Sequence, residues 1–494
     1  MSKLQDRVAS IQPIESKLRL KILDDSDIRA IDETALRILQ EIGVYMPLER
    51  ALKTYAESGA SVDFKTQRVR IPADLVEKSM SRAPRQYTLA ARNRPELDLR
   101  LGEQKATYFN NGGCASSTID FMTHERRPSC KDDLAKMAKI VDYLPIFSFY
   151  WPIVSATEHL KSSTLHELDA SFNHTEKHIQ TETVQGEIQT RYAIEMASVI
   201  AGGRENLTKR PILSSLICGI APLGHDKEAL EAALGFAEAG IPVGFMSMPT
   251  MGATAPASQA AALATGLAEV LSGLVLIQLV NPGCPVYMSI ISAIVDPRSG
   301  EYRYSSSFAQ VTNAASVQLA HHYGIPVYSG ASFGGDAHEL NTWQIGRENI
   351  YLPLLEVMVG ADLCCSMGLI EAVNLFHPAR VIFDREIFHA TQIISQGIEV
   401  NSQTLLFDTI RQVGPRGHFL GQRHTAEHLP KLSPYSILFQ RPKTVGRRYE
   451  DPLKLAWEEI AWILQNHKSP ELEPGVRKEL KGIIEAAESE LGTS

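Results

Sequence analysis

Four stretches of this chain carry residue types and spacings that could do chemistry. Gly330-Ala331-Ser332-Phe333-Gly334 matches Gly-x-Ser-x-Gly, the pattern of a hydrolase nucleophile elbow. An elbow needs a helix to begin almost at the serine, whereas Gly335, Asp336, His338 and Asn341 prolong the loop, so its glycines read as places where backbone approaches a ligand. His424-Thr425-Ala426-Glu427-His428 matches His-x-x-Glu-His, which on a helix sets two imidazoles on one face for zinc. Pro430 soon ends that helix, and in a chain with 15 histidines a solvated surface helix explains five residues as well. The stretch Ser329–Asn341 gathers Phe333, Asp336, His338 and Glu339, although Asp336 and Asn341 also read as caps for the next helix. Tyr108-Phe109-Asn110-Asn111-Gly112-Gly113-Cys114 sets amides and aromatics at the end of an apolar run.

Elements to position these residues recur along the chain. Eight short runs rich in β-branched and aromatic residues lead into loops and helical patterns: Lys105–Asn110, Ile146–Val154, His178–Thr183, Pro211–Gly219, Pro242–Met248, Pro285–Ile291, Pro326–Gly330 and Asp362–Met367. That rhythm predicts an α/β fold, a (β/α)8 TIM barrel, with chemistry on the loops leaving the C-terminal strand ends. Helices are expected over Lys227–Ala239, Ala257–Leu279, Ser305–Tyr323 and Asn341–Val359. Residues 1–100 read as an N-terminal cap with a helix at Asp27–Ile42 and a hairpin from Gly59–Asp63 and Arg68–Pro72. Residues 101–370 hold the barrel, and 371–494 a C-terminal helical extension with a loop at Val413–Gln422 and a charged helix at Glu471–Glu490.

Composition narrows the class. The 494 residues are 44% hydrophobic, enough for a sizeable core, and the net charge of -8 is spread without runs of one sign, so no nucleic-acid partner is expected. The polar start, Met1 to Arg7, lacks the apolar core of a secretory signal. The apolar stretch Leu267–Val280 contains Glu269 and Gln278 and reads as too short for a membrane span. Six cysteines without a Cys-x-x-Cys pair read as reduced thiols of a cytoplasmic protein.

Ordered motifs then carry a resemblance. Gly252-Ala253-Thr254-Ala255-Pro256, Gly266-Leu267-Ala268-Glu269-Val270-Leu271-Ser272-Gly273 and Asn281-Pro282-Gly283-Cys284-Pro285-Val286 resemble the trimethylamine methyltransferase family of corrinoid-dependent enzymes. So do Asp336-Ala337, Gln344-Ile345-Gly346-Arg347-Glu348, and Gly417-His418-Phe419-Leu420-Gly421 with His424-Thr425, the likeness running from about residue 25 to 465. The resemblance implies a barrel whose mouth takes a methylamine and docks a corrinoid protein that accepts the methyl group. Trimethylamine enzymes carry pyrrolysine in the loop after the seventh strand, while this chain has only standard residues between Ser329 and Asp336. It resembles the non-pyrrolysine branch, whose members demethylate glycine betaine and related quaternary amines.

A quaternary ammonium leaves as a neutral tertiary amine, so that reaction needs positioning and no general acid. Aromatic faces hold such cations, which makes Phe109, Trp151, Phe245 and Phe333 candidate walls and Met246 and Met248 soft fillers, although each also reads as core, and Phe245 and Met246 read first as core because alternate strand residues face the outer helices. Asn110, Asn111 and His338 are candidate donors to a betaine carboxylate, Glu182 a counter-charge to the ammonium, and Asp336 a further substrate contact. Gly334, Gly335, Gly417 and His418 are candidate contacts for the corrinoid protein, which would supply the cobalamin; no resident metal is expected. Glycine betaine is the first-choice substrate, and self-association stays open. Two other readings stay open as well: a metal- or serine-dependent hydrolase, and a betaine-binding protein without turnover.

Overall fold

The computed structural model describes residues 8–330, 333–340, 342–432, 436 and 451–492. Parallel strands form inside each of the eight apolar runs: β1 (Tyr108–Phe109), β2 (Phe149–Tyr150), β3 (His178–Thr181), β4 (Leu213–Cys218), β5 (Val243–Ser247), β6 (Val286–Ile290), β7 (Tyr328–Ser329) and β8 (Leu363–Cys364). Five of them make one parallel sheet in the order β6-β5-β4-β3-β2, and three make a second, β7-β8-β1. Between the two, Met288 bridges Val327 in parallel and Ser148 N donates to Phe109 O at 2.7 Å. Helices follow the strands, among them Ser163–His174, Gly186–Ala201, Lys227–Glu238, Gln259–Val280, Ser307–Tyr323, Trp343–Val359 and Arg380–Ser395. The chain is an α/β protein built on parallel sheets.

Successive strand residues point to opposite faces, and the packing sorts them accordingly. Phe149, Trp151, Leu216, Met246, Tyr287, Tyr328 and Leu363 form one buried cluster, while their neighbours Tyr150, Ile217, Phe245, Met288, Val327 and Cys364 join the main core. The first set therefore fills the side of the sheets away from that main core.

An N-terminal hairpin, Tyr87–Leu89 against Leu99–Leu101, sends Leu89, Leu99 and Leu101 into the same cluster. It lies over the strand N-termini: Tyr87 OH donates to Val286 O (3.0 Å), Ala90 N to Pro211 O (2.9 Å) and Gly102 N to Asp362 Oδ1 (2.6 Å), while the His178 ring nitrogen Nδ1 meets Ala90 O at 3.0 Å. With those ends covered, the C-terminal ends are left for a site.

The loops there carry small sheets that the sequence pattern does not announce. Ser117–Ile119, Arg126–Pro128, Leu369–Ile370 and Leu375–Phe376 make one, and Thr250–Met251, Ala293–Val295 and Tyr302–Arg303 another. Leu369–Ile370 and Leu375–Phe376 are short strands at the start of a mostly helical C-terminal segment. The predicted short apolar stretch at Leu267–Val280 is corrected: it belongs to a 22-residue helix, Gln259–Val280, long and apolar enough to cross a membrane, with 89% of its apolar window buried inside the fold.

Candidate active site

Asn110 and Asn111 leave the end of β1 beside Trp151, which follows β2. Asn111 Nδ2 donates to Trp151 O at 2.8 Å, and Tyr328 OH to Asn110 Oδ1 at 3.3 Å. The indole packs edge-on to the Tyr328 ring at 5.9 Å. Gly112 makes this approach possible, since a Cβ there would lie 2.3 Å from the indole. Asn110 Nδ2, Asn111 Oδ1 and Trp151 Nε1 are buried without a hydrogen-bond partner among the described residues. Buried amides and indoles normally find partners, so this grouping has hydrogen-bonding capacity to offer a ligand.

Glu182 sits just past β3, its carboxylate between two thiols. Cys218 Sγ donates to Oε1 at 2.6 Å and Cys114 Sγ to Oε2 at 3.3 Å. Burial pushes the carboxyl above its usual range, and the thiol hydrogen bonds pull it partway back. Burial, reinforced by the Glu182 charge, raises both thiols well above their ordinary value, so they remain protonated donors.

Tyr304 is electrostatically coupled to Glu182 and packs on the inner cluster with Cys114, Cys218 and Met248. Its ring meets Tyr302 edge-on at 4.3 Å. The arrangement is a carboxylate held by neutral donors among aromatic and sulfur-bearing side chains, suited to a small organic cation.

The remaining predicted site residues fall elsewhere. Asp336 is buried, but its oxygens are taken by Tyr304 N (3.0 Å), Ser305 N (3.1 Å) and the Ser305 hydroxyl, so it fastens the segment carrying Tyr304. His338 is 71% exposed at its side chain and lies 3.6 Å from Glu371, a carboxylate that also pairs with Arg126. Phe333 packs edge-on to Phe109, which meets Phe388, and all three belong to the main core; Phe245 faces that core too, whereas Met246 faces inward.

Gly334 and Gly335 are buried rather than presented to a partner, and a Cβ at Gly335 would sit 2.7 Å from Glu348 Oε2. Gly417 and His418 are exposed. Ser332, the serine of the elbow pattern, lies outside the described residues, as does Asn341.

The His-x-x-Glu-His pattern does lie on a helix, Arg423–Leu432, but that helix has no buried residue. Its two imidazoles stack at 3.9 Å, His428 Nδ1 meets His424 O at 3.0 Å, and Glu427 pairs with Arg423 at 2.7 Å. The described group with metal-ligand spacing is a different one, His159, His166 and Glu488. There Lys131 Nζ lies 3.0 Å from His166 Nδ1, so the ring meets Glu488 through its protonated Nε2, with no lone pair there for an ion.

Sequence reasoning missed Cys114, Cys218, Tyr304 and Tyr328 as site residues. Tyr304 follows β6 in a tyrosine pair with Tyr302, a signal available in the sequence; the thiols become recognisable only once β1, β3 and β4 are assembled.

The family model for trimethylamine methyltransferase matches residues 2–492, and the chain belongs to that family. It is a methyltransferase, composed of standard residues throughout, in keeping with the family's non-pyrrolysine branch. Trimethylamine methyltransferase MttB of Desulfitobacterium hafniense (strain DSM 10664 / DCB-2) is 31% identical over 473 residues, covering 95% of this chain and 94% of that protein. Glycine betaine methyltransferase of D. hafniense (strain Y51) is 28% identical over 494 residues, covering 96% and 98%. The solved monomethylamine methyltransferase of Methanosarcina barkeri aligns over 95% of this chain and 96% of its own, with 11% identity and a TM-score of 0.44.

Proposed function

We propose that this chain transfers a methyl group from a betaine-type quaternary amine, glycine betaine first, to the Co(I) corrinoid of a separate carrier protein. The observation that carries the reading is Glu182, whose carboxylate stands at the strand ends between two neutral thiols that pack, with Tyr304, on the cluster holding Trp151. An ammonium next to it gains a counter-charge and aromatic faces, worth about 2 kcal/mol or more when desolvated. Asn110 Nδ2 and Trp151 Nε1, which have no partner among the described residues, supply donors for the carboxylate at the other end of a betaine. The corrinoid partner follows from family membership, and the curated relative named for glycine betaine supports the choice of substrate.

The same reading takes β1 to β8 as the two arcs of a (β/α)8 barrel, capped by residues 1–100 and extended by 371–494. It is supported by the bonds between the sheets and the inward register of Leu216, Met246, Tyr287 and Tyr328. In the reaction, Co(I) donates its electron pair to the methyl carbon while the C–N bond breaks, its electrons staying on nitrogen. The amine departs neutral and no proton moves. The chain's task is then to align the methyl with the opening at the strand ends and to exclude water.

The test is spectral conversion of cob(I)alamin to methylcobalamin by the purified protein, without oxygen, across a panel of quaternary amines and trimethylamine. Methylation by a betaine and none by trimethylamine is expected. Turnover of trimethylamine alone, or no calorimetric binding of any betaine, would overturn the proposal.

A further inference from the structure

Residues 398–432 form an arm that the rest of the described chain does not hold. Its helices, Ser402–Leu405, Phe407–Val413 and Arg423–Leu432, bury no residue. Every hydrogen bond described for residues 399–432 stays within that segment. Yet it carries Ile398, Val400, Leu405, Phe407, Ile410, Phe419, Leu420, Leu429 and Leu432, between 44% and 90% exposed. Helices of four, seven and ten residues do not persist alone in water, and helical stability in proteins comes from packing an apolar face. The arm needs a covering surface that is always present.

Charge points away from an ionic partner. Glu399, Asp408 and Glu427 offset Arg411, Arg416, Arg423 and Lys431 to a net +1, and Arg411–Asp408 and Arg423–Glu427 are already paired at 2.6 and 2.7 Å. The nine apolar side chains expose on the order of 1,000 Å², more than the roughly 800 Å² per partner of a standard stable interface. A carrier protein that comes and goes with each turnover would leave this area bare between visits.

A matching face lies on the same molecule. Trp343 (87% exposed), Ile350 and Tyr351 line one side of helix Trp343–Val359, and Phe308 stands on the neighbouring helix, Ser307–Tyr323, to which Arg347 bonds through Ser307 (3.3 Å). Most other exposed large apolar residues outside the arm are scattered singly, as at Phe64, Met122 and Leu160.

We infer that the partner is a second copy of this chain: the arm of each copy covers the Trp343–Tyr351 face of the other. Reciprocal exchange of this kind closes on itself as a two-fold assembly.

Light scattering and amide hydrogen exchange on the full-length protein alone, at micromolar concentration, test this without any assay of activity. The expected mass is a multiple of 54.5 kDa, with residues 402–432 exchanging at least tenfold more slowly than free helices of that length. Phe407→Glu, Leu420→Glu and Tyr351→Glu alter exposed side chains and are expected to yield folded single chains, by circular dichroism, whose arm exchanges freely. A wild type of 54.5 kDa overturns the inference, including one whose arm is protected only after a corrinoid-bearing protein is added. So does an oligomer whose arm exchanges freely, or one that all three variants leave intact. Should the variants fail to fold, wild-type mass and exchange decide alone.

Discussion

Replacing Glu182 by Gln removes a charge while keeping size and one oxygen acceptor. The carboxylate receives Cys218 Sγ at 2.6 Å and Cys114 Sγ at 3.3 Å, and neither donor cancels its charge. A substrate ammonium centred about 5 Å away would gain about 3 kcal/mol at an effective dielectric of roughly 20. Desolvation of the ion offsets part of that, leaving about 2 kcal/mol, or about thirty-fold in affinity. Because Glu182 moves no proton in the proposed reaction, E182Q should raise KM for a betaine by about thirty-fold and change kcat little. The assay is cob(I)alamin methylation across substrate concentrations, with calorimetric binding of the betaine in parallel. In the wild type the cation needs the ionised carboxylate, so affinity should fall as pH drops through the raised pKa of Glu182, and this dependence should vanish in E182Q. A variant that binds as tightly as wild type but has lost kcat would make Glu182 a reacting group and refute the counter-charge argument.

Three further outcomes follow from the same geometry. Gly112→Ala drives a methyl to 2.3 Å from the indole of Trp151, so KM should rise with a stability loss of about 1–3 kcal/mol, read by kinetics and thermal unfolding. His467→Ala leaves the buried Asp142 without the ring nitrogen 2.9 Å from Oδ2 and should cost about 3 kcal/mol, seen as a lower urea midpoint. Burial holds His178 neutral, its pKa pushed down to about 4, so the unfolded chain binds a proton that the native one refuses between about pH 6.5 and 4. That depressed base costs stability as pH falls through this window; His178→Asn should remove about 1.4 kcal/mol per pH unit of the slope in pH-dependent urea unfolding, and an unchanged slope would contradict the burial argument.

Strand positions were readable because apolar β-branched runs between turn residues have few other uses in a chain of this size. Strand lengths were not. Thr107, expected in the first strand, instead exchanges both backbone hydrogen bonds with Ile14, a partner far off in sequence. Glu182 could be singled out because it ends an apolar run, and Asn110 and Asn111 for the same reason. Asp336 looked like a ligand contact, yet polar residues in loops as often hold other loops, and here the backbone of Tyr304 and Ser305 claims it. Cys114 and Cys218 meet on one carboxylate although they come from different strand ends, a closeness created by assembly of β1, β3 and β4. The arm is hidden for the opposite reason: its apolar residues read as core, and only their exposure in the fold shows that they lack one.

The hydrogen bonds to Glu182 leave its charge uncompensated. Glu269 and Asp362 are likewise held by neutral donors, Leu223 N with Ser247 and Gly102 N with Val327 N, whereas Asp384 lies 3.2 Å from the Arg380 guanidinium and Asp133 2.7 Å from Arg127. Such pairs have no charge left to offer. Thiols are weak neutral donors, and burial keeps these two protonated, so they can orient a carboxylate without cancelling it. The cost of an unneutralised buried charge appears as the raised pKa of Glu182. An incoming ammonium recovers that cost, which gives the site a preference for permanent cations over neutral amines. A quaternary nitrogen keeps its charge at every pH, whereas a tertiary amine carries one only when protonated. In the proposed reaction the carboxylate between two thiols would favour a cationic substrate over a neutral one.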